Sequence, residues 1–374
     1  MMRNLESHIK EILQKDFGRD DWEVPLDYFS WGRDSRHTVD DTERLPSLPV
    51  NKGEFLKNAV RKLKGIIIAT INYRKGILLR FRRRYASFDK SYQLMSDQYS
   101  RNLFAELIFM KLVSEKRMRL SSFTKDFIDS YEFASDEILR SAEMLPVYRW
   151  ILRKITLQNP PISFFTVPTI LNLHYTGKLY RYQRDESLIE VEGGDVVIDA
   201  GVGWGDTTIY LAALANKEPS GHSYAFDILE EGMNALSEQC KLNPGIKNLT
   251  PVLRALYNKD GEHVNISSPG PSAKVVNEET ERKVETVTID TFSEHNSLEK
   301  VDFIKMDIEG AEVPALIGAT GTIKMFKPKL AISVYHKWDD LLVIPQLIHS
   351  IRDDYSYYLD CTTGFGGETI LFCR

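Results

Sequence analysis

The chain has 374 residues, of which 43% are hydrophobic, so it is long enough to bury the core of two domains or of one large domain with an appendage. Its 48 lysine and arginine residues stand against 53 acidic residues, and the formal net charge of −5 gives no global attraction for nucleic acid. The three cysteines lie far apart without CxxC spacing, which disfavours a disulfide scaffold or a zinc site and predicts a reducing compartment.

The first residues, MMRNLESHIKEILQKDF, are amphipathic and charged. They lack the basic segment followed by an apolar stretch that is typical of a secretory signal. The apolar runs of the chain are also shorter than the ~18 residues that a membrane span needs. We therefore expect a cytoplasmic protein.

Helical periodicity dominates the first part of the chain, in residues 100–113 and again in residues 135–154. No strand alternation of comparable length accompanies it. We therefore predict a helical N-terminal region over residues 1–155 and a second domain over residues 156–374. The sequence QNPPISFFTVP is interpreted as the connector between them.

A basic amphipathic segment lies inside this region. Residues 56–84 contain ten lysines and arginines and no acid, with apolar residues at near-helical spacing. Such a helix can lie on an anionic membrane surface, which would make the protein peripheral to a membrane. The alternative is a solvated helix that packs on its own domain, and two glycines, Gly65 and Gly76, weaken a single long helix in either case.

From residue 195 onward, short apolar strands alternate with amphipathic helices, which predicts a parallel sheet covered on both faces. The predicted strands are DVVIDA, HSYAFD, LTPVL, VDFIKM and KLAISVY, and YSYYLDC and ETILFCR follow as an antiparallel hairpin. The predicted helices cover residues 206–216, 230–242, 313–325 and 339–352. The polar segment 258–283 is predicted to be a long loop.

The sequence VVIDAGVGWGDTT places three glycines in the turn between the first of these strands and its helix. Gly201, Gly203 and Gly205 leave the main chain open to a ligand, and the helix that follows offers unpaired N–H groups to an anion. Asp199 precedes this turn, where its carboxylate repels a pyrophosphate and attracts an ammonium. A ligand with both a carboxylate and an amine at one end, the methionine part of S-adenosylmethionine (SAM), suits both features.

Asp227 ends the next strand, where an acid can accept hydrogen bonds from both hydroxyls of a ribose. NAD and SAM share a ribose, so Asp227 does not separate them. The alternative is thus an NAD-dependent oxidoreductase. Against it stand the GxGxG spacing, which differs from the usual dinucleotide fingerprint, and the repulsion by Asp199.

A second group of polar residues follows the strand VDFIKM. Asp307 and Glu309 come directly after it, Lys305 lies within it, and His336 follows the next strand. Because the carboxyl ends of parallel strands meet at one edge, we expect these side chains to face the same crevice as the glycine turn. For Glu309, and for Glu312 further on, stabilisation of a helix N-terminus is the structural alternative.

Methyl transfer from a sulfonium requires alignment and, for a hydroxyl acceptor, removal of a proton. Asp307, Glu309 and His336 are the candidate base and acceptor-positioning groups, with Lys305 beside them. The same three residues could instead hold a divalent cation that lowers the pKa of the acceptor. The sequence leaves this choice open.

These blocks, together with YAFD, VDFIKMDIEGAEVPALIGA and the final GGETILFCR, resemble the FkbM-like family of class I SAM-dependent methyltransferases over roughly residues 190–374. The resemblance implies a Rossmann-like α/β fold with a mostly parallel seven-stranded sheet and an antiparallel C-terminal hairpin. It also implies O-methylation of a hydroxyl, often on a sugar in surface glycans or secondary metabolites. By this resemblance, the residues expected to contact SAM are Asp199, Gly201, Gly203, Gly205, Thr207 and Asp227.

By the same resemblance, Asp307 and Glu309 lie beside the methyl acceptor. Asp227 departs from the family, which often has glutamate at that position. The expected partner is a hydroxyl-bearing small molecule or glycan, and a non-catalytic module that keeps the fold and binds a glycan or a partner is the third hypothesis.

Overall fold

The computed structural model describes Leu5 and residues 86–113, 120–121, 125–147, 150–175, 180–267, 270, 272–363 and 366–374. The chain divides into two compact units, Met1–Tyr85 and Ala86–Arg374, and apart from Leu5 the described residues belong to the second. The basic segment 56–84 lies outside the described residues, so its contact with a membrane stays a prediction. Among the helices that are described, none has the length and apolar character to cross a bilayer.

A seven-stranded sheet forms the centre of the second unit, in the order β15-β16-β14-β13-β6-β7-β8. The strands are β6 (Val196–Ala200), β7 (His222–Asp227), β8 (Leu249–Leu253), β13 (Phe303–Met306), β14 (Lys329–Ser333), β15 (Tyr357–Cys361) and β16 (Thr369–Cys373). The first five run parallel, and β16 is antiparallel to both β14 and β15. The predicted Rossmann-like, mostly parallel seven-stranded sheet with its antiparallel C-terminal hairpin is confirmed.

Helices connect these strands and cover the sheet. They are α4 (Asp206–Ala215), α5 (Glu230–Leu242), α6 (Ile289–His295), α7 (Glu312–Ile317), α8 (Thr320–Phe326) and α9 (Asp340–Ile351). All four residues of the central strand β13 are buried, as expected for a strand covered on both faces. The helix predicted over residues 313–325 is divided into α7 and α8.

Before the sheet lie α1 (Gln98–Val113), α2 (Lys125–Arg140) and α3 (Pro168–Tyr175), and residues 86–94 are also helical. The helix predicted over residues 100–113 is confirmed as α1. Its buried face includes Phe104 and Ile108, and the hydroxyl of Ser100 accepts a hydrogen bond from the backbone N–H of Leu359 in β15 at 2.9 Å. The helical region therefore packs directly on the edge of the central sheet.

The prediction of helix over residues 135–154 is wrong in its second half. The chain forms a three-stranded antiparallel sheet of β1 (Met144–Val147), β2 (Trp150–Gln158) and β3 (Pro161–Thr166). Pro146 cannot continue a helix, and the aromatic and β-branched residues after it favour strands. The predicted connector QNPPISFFTVP is the turn and third strand of this sheet, and β2 crosses the predicted domain boundary at residues 155/156.

The predicted loop over residues 258–283 is also wrong. It contains β10 (His263–Ile266) and β11 (Val275–Val276), which join β12 (Lys283–Val287) and β9 (Ala255–Leu256) in a four-stranded sheet. These strands are two to five residues long, too short to produce readable alternation in a polar segment. A small hydrophobic cluster that includes Leu229 and Ile266 packs this sheet beside the end of β7.

A two-stranded ribbon, β4 (Tyr182–Arg184) and β5 (Ser187–Ile189), precedes the central sheet. Tyr182 and Ile189, a cross-strand pair in this ribbon, join Phe303 and Phe372 in one buried cluster. The ribbon thereby covers one face of the sheet near its middle.

Candidate functional site

The glycine turn leaves β6 and enters α4 at the carboxyl edge of the sheet. Gly201, Gly203 and Gly205 have φ angles of 92°, 57° and 83°, which L-residues with side chains rarely adopt. A Cβ added at Gly201 would lie 1.9 Å from the backbone oxygen of Asp307, whereas one at Gly203 would have no atom within 4 Å. Gly201 therefore serves the packing of two strand ends, and Gly203 faces open space.

Asp227 holds the turn in place. Its Oδ2 accepts hydrogen bonds from the backbone N–H groups of Val202 and Gly203, both at 3.0 Å, and its Oδ1 accepts from Leu229 N at 2.9 Å. Burial raises the pKa of Asp227, and these backbone donors act in the opposite direction. The predicted contact of Asp227 with ribose hydroxyls stays a prediction, while its present role is to shape the turn.

Asp199 is fully buried and paired within the chain. Its Oδ1 lies 3.0 Å from Lys305 Nζ, and its Oδ2 accepts a hydrogen bond from Thr208 Oγ1 at 2.6 Å. The register sets this pair, because Lys305 of β13 lies opposite Asp199 of β6. Asp199 therefore has a cation of its own, and its predicted role toward the ammonium of SAM stays a prediction.

Lys305 lies between the glycine turn and Asp307. Its Nζ also donates a short hydrogen bond to the backbone oxygen of Gly201 and lies 5.3 Å from the ring centroid of Tyr180. Burial alone would lower the pKa of Lys305, but the charges of Asp199 and Asp307 raise it. Lys305 is therefore a fixed positive charge beneath the turn.

The first residues of α4 complete the turn. Asp206 accepts from Thr166 Oγ1 at 2.5 Å and from the N–H of Thr207 at 2.9 Å, which joins β3 to the helix N-terminus. Burial raises the pKa of Asp206. Thr207 itself is largely buried, and its predicted contact with the cofactor stays a prediction.

The predicted acids and histidine do come together, beside the glycine turn. His336 Nε2 lies 3.3 Å from Asp307 Oδ1 and 3.7 Å from Glu309 Oε2, and His336 Nδ1 lies 2.8 Å from Glu312 Oε1. The side chains of Asp307 and Glu309 remain 22% and 30% exposed, so a ligand can reach both. The structure thus gives Glu312 a contact with His336, in addition to its place at the first position of α7.

The charges of this group shift each other's ionisation. Burial alone would raise the pKa of Asp307, but His336, Lys305 and a hydrogen bond from Tyr180 hold it below its usual range. Burial would lower the pKa of His336, but the hydrogen bond to Glu312 and the charges of Asp307, Glu312 and Glu309 raise it to about 9. Burial, with the charges of Asp307 and Glu312, raises the pKa of Glu309.

Two tyrosines that the sequence did not indicate contact Asp307, and Glu368 contacts one of them. Tyr180 OH donates to Asp307 Oδ2 at 2.7 Å, and Tyr335 OH lies 3.2 Å from Asp307 Oδ1 and 3.3 Å from Glu368 Oε1. Burial and the negative charge of Asp307 raise the pKa of Glu368 to about 8. The carboxyl groups of Asp307 and Glu368 both face the hydroxyl of Tyr335, which can donate to only one of them at a time.

The position of Glu368 explains why it was missed. It precedes β16, and because β16 is antiparallel, its start lies where the parallel strand β14 ends. A search for acids at the ends of parallel strands does not include this position. The C-terminal hairpin was itself predicted, and asking which of its residues lie at the carboxyl edge of the parallel strands would have identified Glu368.

Strained backbone is concentrated at this group. Tyr180, Glu309 and Glu368 have φ angles of 51°, 54° and 54°, in the left-handed region that residues with side chains seldom occupy. Such conformations persist where the surrounding structure enforces them, and they are frequent at functional sites. The strain therefore marks a candidate functional site, called the Asp307 group below, which consists of Asp307, Glu309, Glu312, His336, Tyr180, Tyr335 and Glu368.

The turn leaves room for a ligand beside Gly203. No atom lies within 4 Å of a Cβ added there, α4 begins nearby at Asp206, and the buried Asp199–Lys305 pair lies at the end of the strand that leads into the turn. The Asp307 group offers carboxylates and hydroxyls on the neighbouring strand end. The two halves of the site meet where Asp307 N donates to Ala200 O at 3.0 Å.

Comparison with known families places a domain on this part of the chain. Residues 197–357 match the family model of the methyltransferase FkbM domain. These bounds include β6 except for Val196, the glycine turn, Asp307, Glu309, Glu312 and His336, and they leave out Tyr180 and Glu368. No curated protein matches the chain.

Several solved structures are similar to the chain. Methyltransferase FkbM from Methylobacillus flagellatus is 20% identical, with a TM-score of 0.48, and the match covers 79% of this chain and 60% of that protein. Fibrillarin from Methanococcus jannaschii is 14% identical, with a TM-score of 0.37, over 61% of this chain and 83% of that one. Aeropyrum pernix fibrillarin with bound SAM is 11% identical, with a TM-score of 0.30, over 50% and 69%.

Proposed function

We propose that the chain is a SAM-dependent methyltransferase of the FkbM type, whose family model it matches, and that it transfers the methyl group of SAM to a hydroxyl of a saccharide. The observation that supports this acceptor is the Asp307 group itself. Carboxylates and tyrosine hydroxyls provide both acceptors and donors for hydrogen bonds, which suits a polyol.

A hydroxyl must lose its proton as it attacks the sulfonium carbon, so a base within reach is required. Asp307 is partly exposed, is positioned by Tyr180 and Tyr335, and lies beside the cofactor turn. We assign it to this proton transfer. Glu368, which contacts the same Tyr335 hydroxyl, is placed to share the proton.

The acidic character of the group disfavours a nucleic-acid acceptor. Asp307 and Glu309 lie beside the glycine turn, and their negative charge would repel a phosphate backbone. The family match also favours a methyltransferase over the NAD-dependent oxidoreductase. The non-catalytic module differs from our proposal in predicting SAM binding without turnover.

The test is transfer of a radiolabelled methyl group from SAM to a panel of saccharides by the full chain. We expect an alkali-stable methyl ether. The variant Asp307→Asn should lower the rate by about 10²–10⁴-fold, because it removes the base while the glycine turn is unchanged. The exposed Asp353→Asn is the matched control and should transfer at the wild-type rate.

Two results would overturn the proposal. One is a base-labile product, which would indicate a methyl ester on a carboxylate. The other is full activity of Asp307→Asn, which would remove Asp307 from the proton transfer.

A further inference from the structure

The two nitrogens of the His336 imidazole have different surroundings. Its Nδ1 is held by Glu312 at 2.8 Å, and Glu312 Oε1 is itself fixed by the backbone N–H of Ile308 at 3.0 Å. Its Nε2 points to the carboxylates of Asp307 and Glu309. Glu312 therefore sets the orientation of the ring, with a proton on Nδ1.

The second nitrogen is buried without a hydrogen-bond partner. The His336 side chain is only 7% exposed, and Nε2 has no such partner among the described residues. A neutral imidazole with its proton on Nδ1 would turn the lone pair of Nε2 toward two carboxylates. That arrangement is repulsive unless a cation lies between the three groups.

The separations suit a metal ion as that cation. Ligands at the usual 2.0–2.2 Å from one ion lie about 3.0–3.5 Å from each other. The observed distances from Nε2 are 3.3 Å to Asp307 Oδ1 and 3.7 Å to Glu309 Oε2. Among the described residues, one ligand-capable atom from each of Asp307, Glu312 and His336 lies within 4.8 Å of the others, and Glu309 is not part of that group.

The role of each carboxylate follows from the nitrogen of His336 that it faces. Metal-bound histidines usually donate their second ring N–H to a carboxylate, which orients the ring. Glu312 occupies that orienting position, since it faces Nδ1 and is fully buried. Asp307 and Glu309 face Nε2 and are open to solvent, so they are the candidate ligands.

The nearest fixed cation does not neutralise these carboxylates fully. Lys305 is paired with Asp199 at 3.0 Å, on the side of the cofactor turn. Asp307, Glu309 and Glu312 therefore surround one imidazole with three carboxylates. The local charge favours a divalent ion.

We propose that His336 Nε2, Asp307 and Glu309 bind one divalent cation of the Mn²⁺ or Zn²⁺ class, with Glu312 orienting the imidazole. An imidazole with two carboxylates is a ligand set that suits such ions. The ion leaves coordination positions for hydroxyls of the methyl acceptor and lowers their pKa. The proposal deepens the proposed function, but the binding of the ion requires neither SAM nor a methyl acceptor.

The test is a titration of the chelator-treated full chain with Mn²⁺, followed by the loss of the free-ion signal in electron paramagnetic resonance. We expect one Mn²⁺ per chain. His336→Ala and Glu309→Gln, which each remove a ligand, should weaken binding at least tenfold. Glu309 is partly exposed, so its variant tests the site even where His336→Ala fails to fold.

Glu312→Gln separates orientation from ligation. A glutamine amide can donate to Nδ1, which would shift the imidazole proton to Nε2 and remove the metal-binding lone pair. We expect a loss of about 10–100-fold in Mn²⁺ affinity. The matched control is His263→Ala, because His263 is an exposed histidine outside the site, and it should bind Mn²⁺ like the wild type.

A wild-type chain that binds no Mn²⁺, or that binds it as tightly after Glu309→Gln and Glu312→Gln, would overturn the proposal. The cation at Nε2 would then be a proton. Binding of S-adenosylhomocysteine, measured in the same samples, keeps the two proposals apart. Retained cofactor binding without Mn²⁺ binding rejects the metal site alone.

Discussion

The Lys305–Asp199 pair is the residue-scale feature on which the site depends. Both side chains are almost completely buried, at 2% and 1% exposure, so neither charge has water to replace its partner. Removing one member of such a pair leaves an uncompensated buried charge. The pair also connects β6 to β13 directly below the glycine turn.

Lys305→Met should therefore lower the free energy of unfolding by about 3–5 kcal/mol, measured by urea denaturation. The double variant Asp199→Asn with Lys305→Met should recover part of this loss, because it removes both charges. Lys241→Met is the control. Lys241 forms an exposed pair with Glu238 at 2.5 Å, and breaking it should cost less than about 1 kcal/mol.

A loss for Lys305→Met as small as that for Lys241→Met would contradict this account. It would mean that Asp199 is neutral or solvated in the folded protein. The double variant distinguishes the two cases, since it changes nothing further if Asp199 carries no charge.

At the scale of elements, side chains at the end of α5 form the backbone hydrogen bonds with β3 that a neighbouring strand would otherwise form. Gln239 accepts from Phe165 N and donates to Phe165 O, both at 2.8 Å, and it also donates to Trp204 O in the glycine turn at 3.1 Å. One turn later, Asn243 makes the same pair of bonds with Ser163. These bonds attach the sheet β1-β2-β3 to the glycine turn.

Gln239→Ala should lower the free energy of unfolding by about 2–4 kcal/mol, because it leaves three partly buried backbone groups, two of Phe165 and one of Trp204, without partners. Denaturant titration measures this loss. Glu238→Ala, at a neighbouring position on the same helix whose side chain is 42% exposed, should stay within about 0.5 kcal/mol of the wild type. An equal effect of the two changes would show that the β3 edge is solvated.

The sequence predicted most accurately the elements that carry a strong hydrophobic pattern. The strands HSYAFD and LTPVL and the helix Glu230–Leu242 have the predicted bounds, since continuous apolar runs and helical periodicity are strong signals. The sheet β1-β2-β3 was missed because the prediction followed the helical periodicity of residues 135–154 and gave too little weight to Pro146 and to the strand-forming residues after it.

The site was predictable to the same extent. Asp307, Glu309 and His336 follow parallel strands, so the topology alone brought them to one edge. Glu368 was not predictable in this way, since it comes from an antiparallel strand. The Asp199–Lys305 pair depended on the register of β6 against β13, which the sequence does not specify.

At the scale of the whole molecule, the sheet places two kinds of chemistry at a single edge. The glycine turn after β6 offers space for a cofactor, and the ends of β13, β14 and the start of β16 supply carboxylates and hydroxyls. The contact between Asp307 N and Ala200 O joins them. Cofactor binding at Gly203 is therefore the central claim.

The most direct test is calorimetric titration of the full chain with S-adenosylhomocysteine, compared between Gly203→Ala and Gly261→Ala. Both glycines have a positive φ, 57° and 70°, and neither has an atom within 4 Å of an added Cβ, so the two changes impose similar strain. Only Gly203 lies in the site. We predict that wild type and Gly261→Ala bind S-adenosylhomocysteine and not NAD, and that Gly203→Ala binds at least tenfold more weakly. Equal binding by the two variants, or binding of NAD alone, would contradict the account.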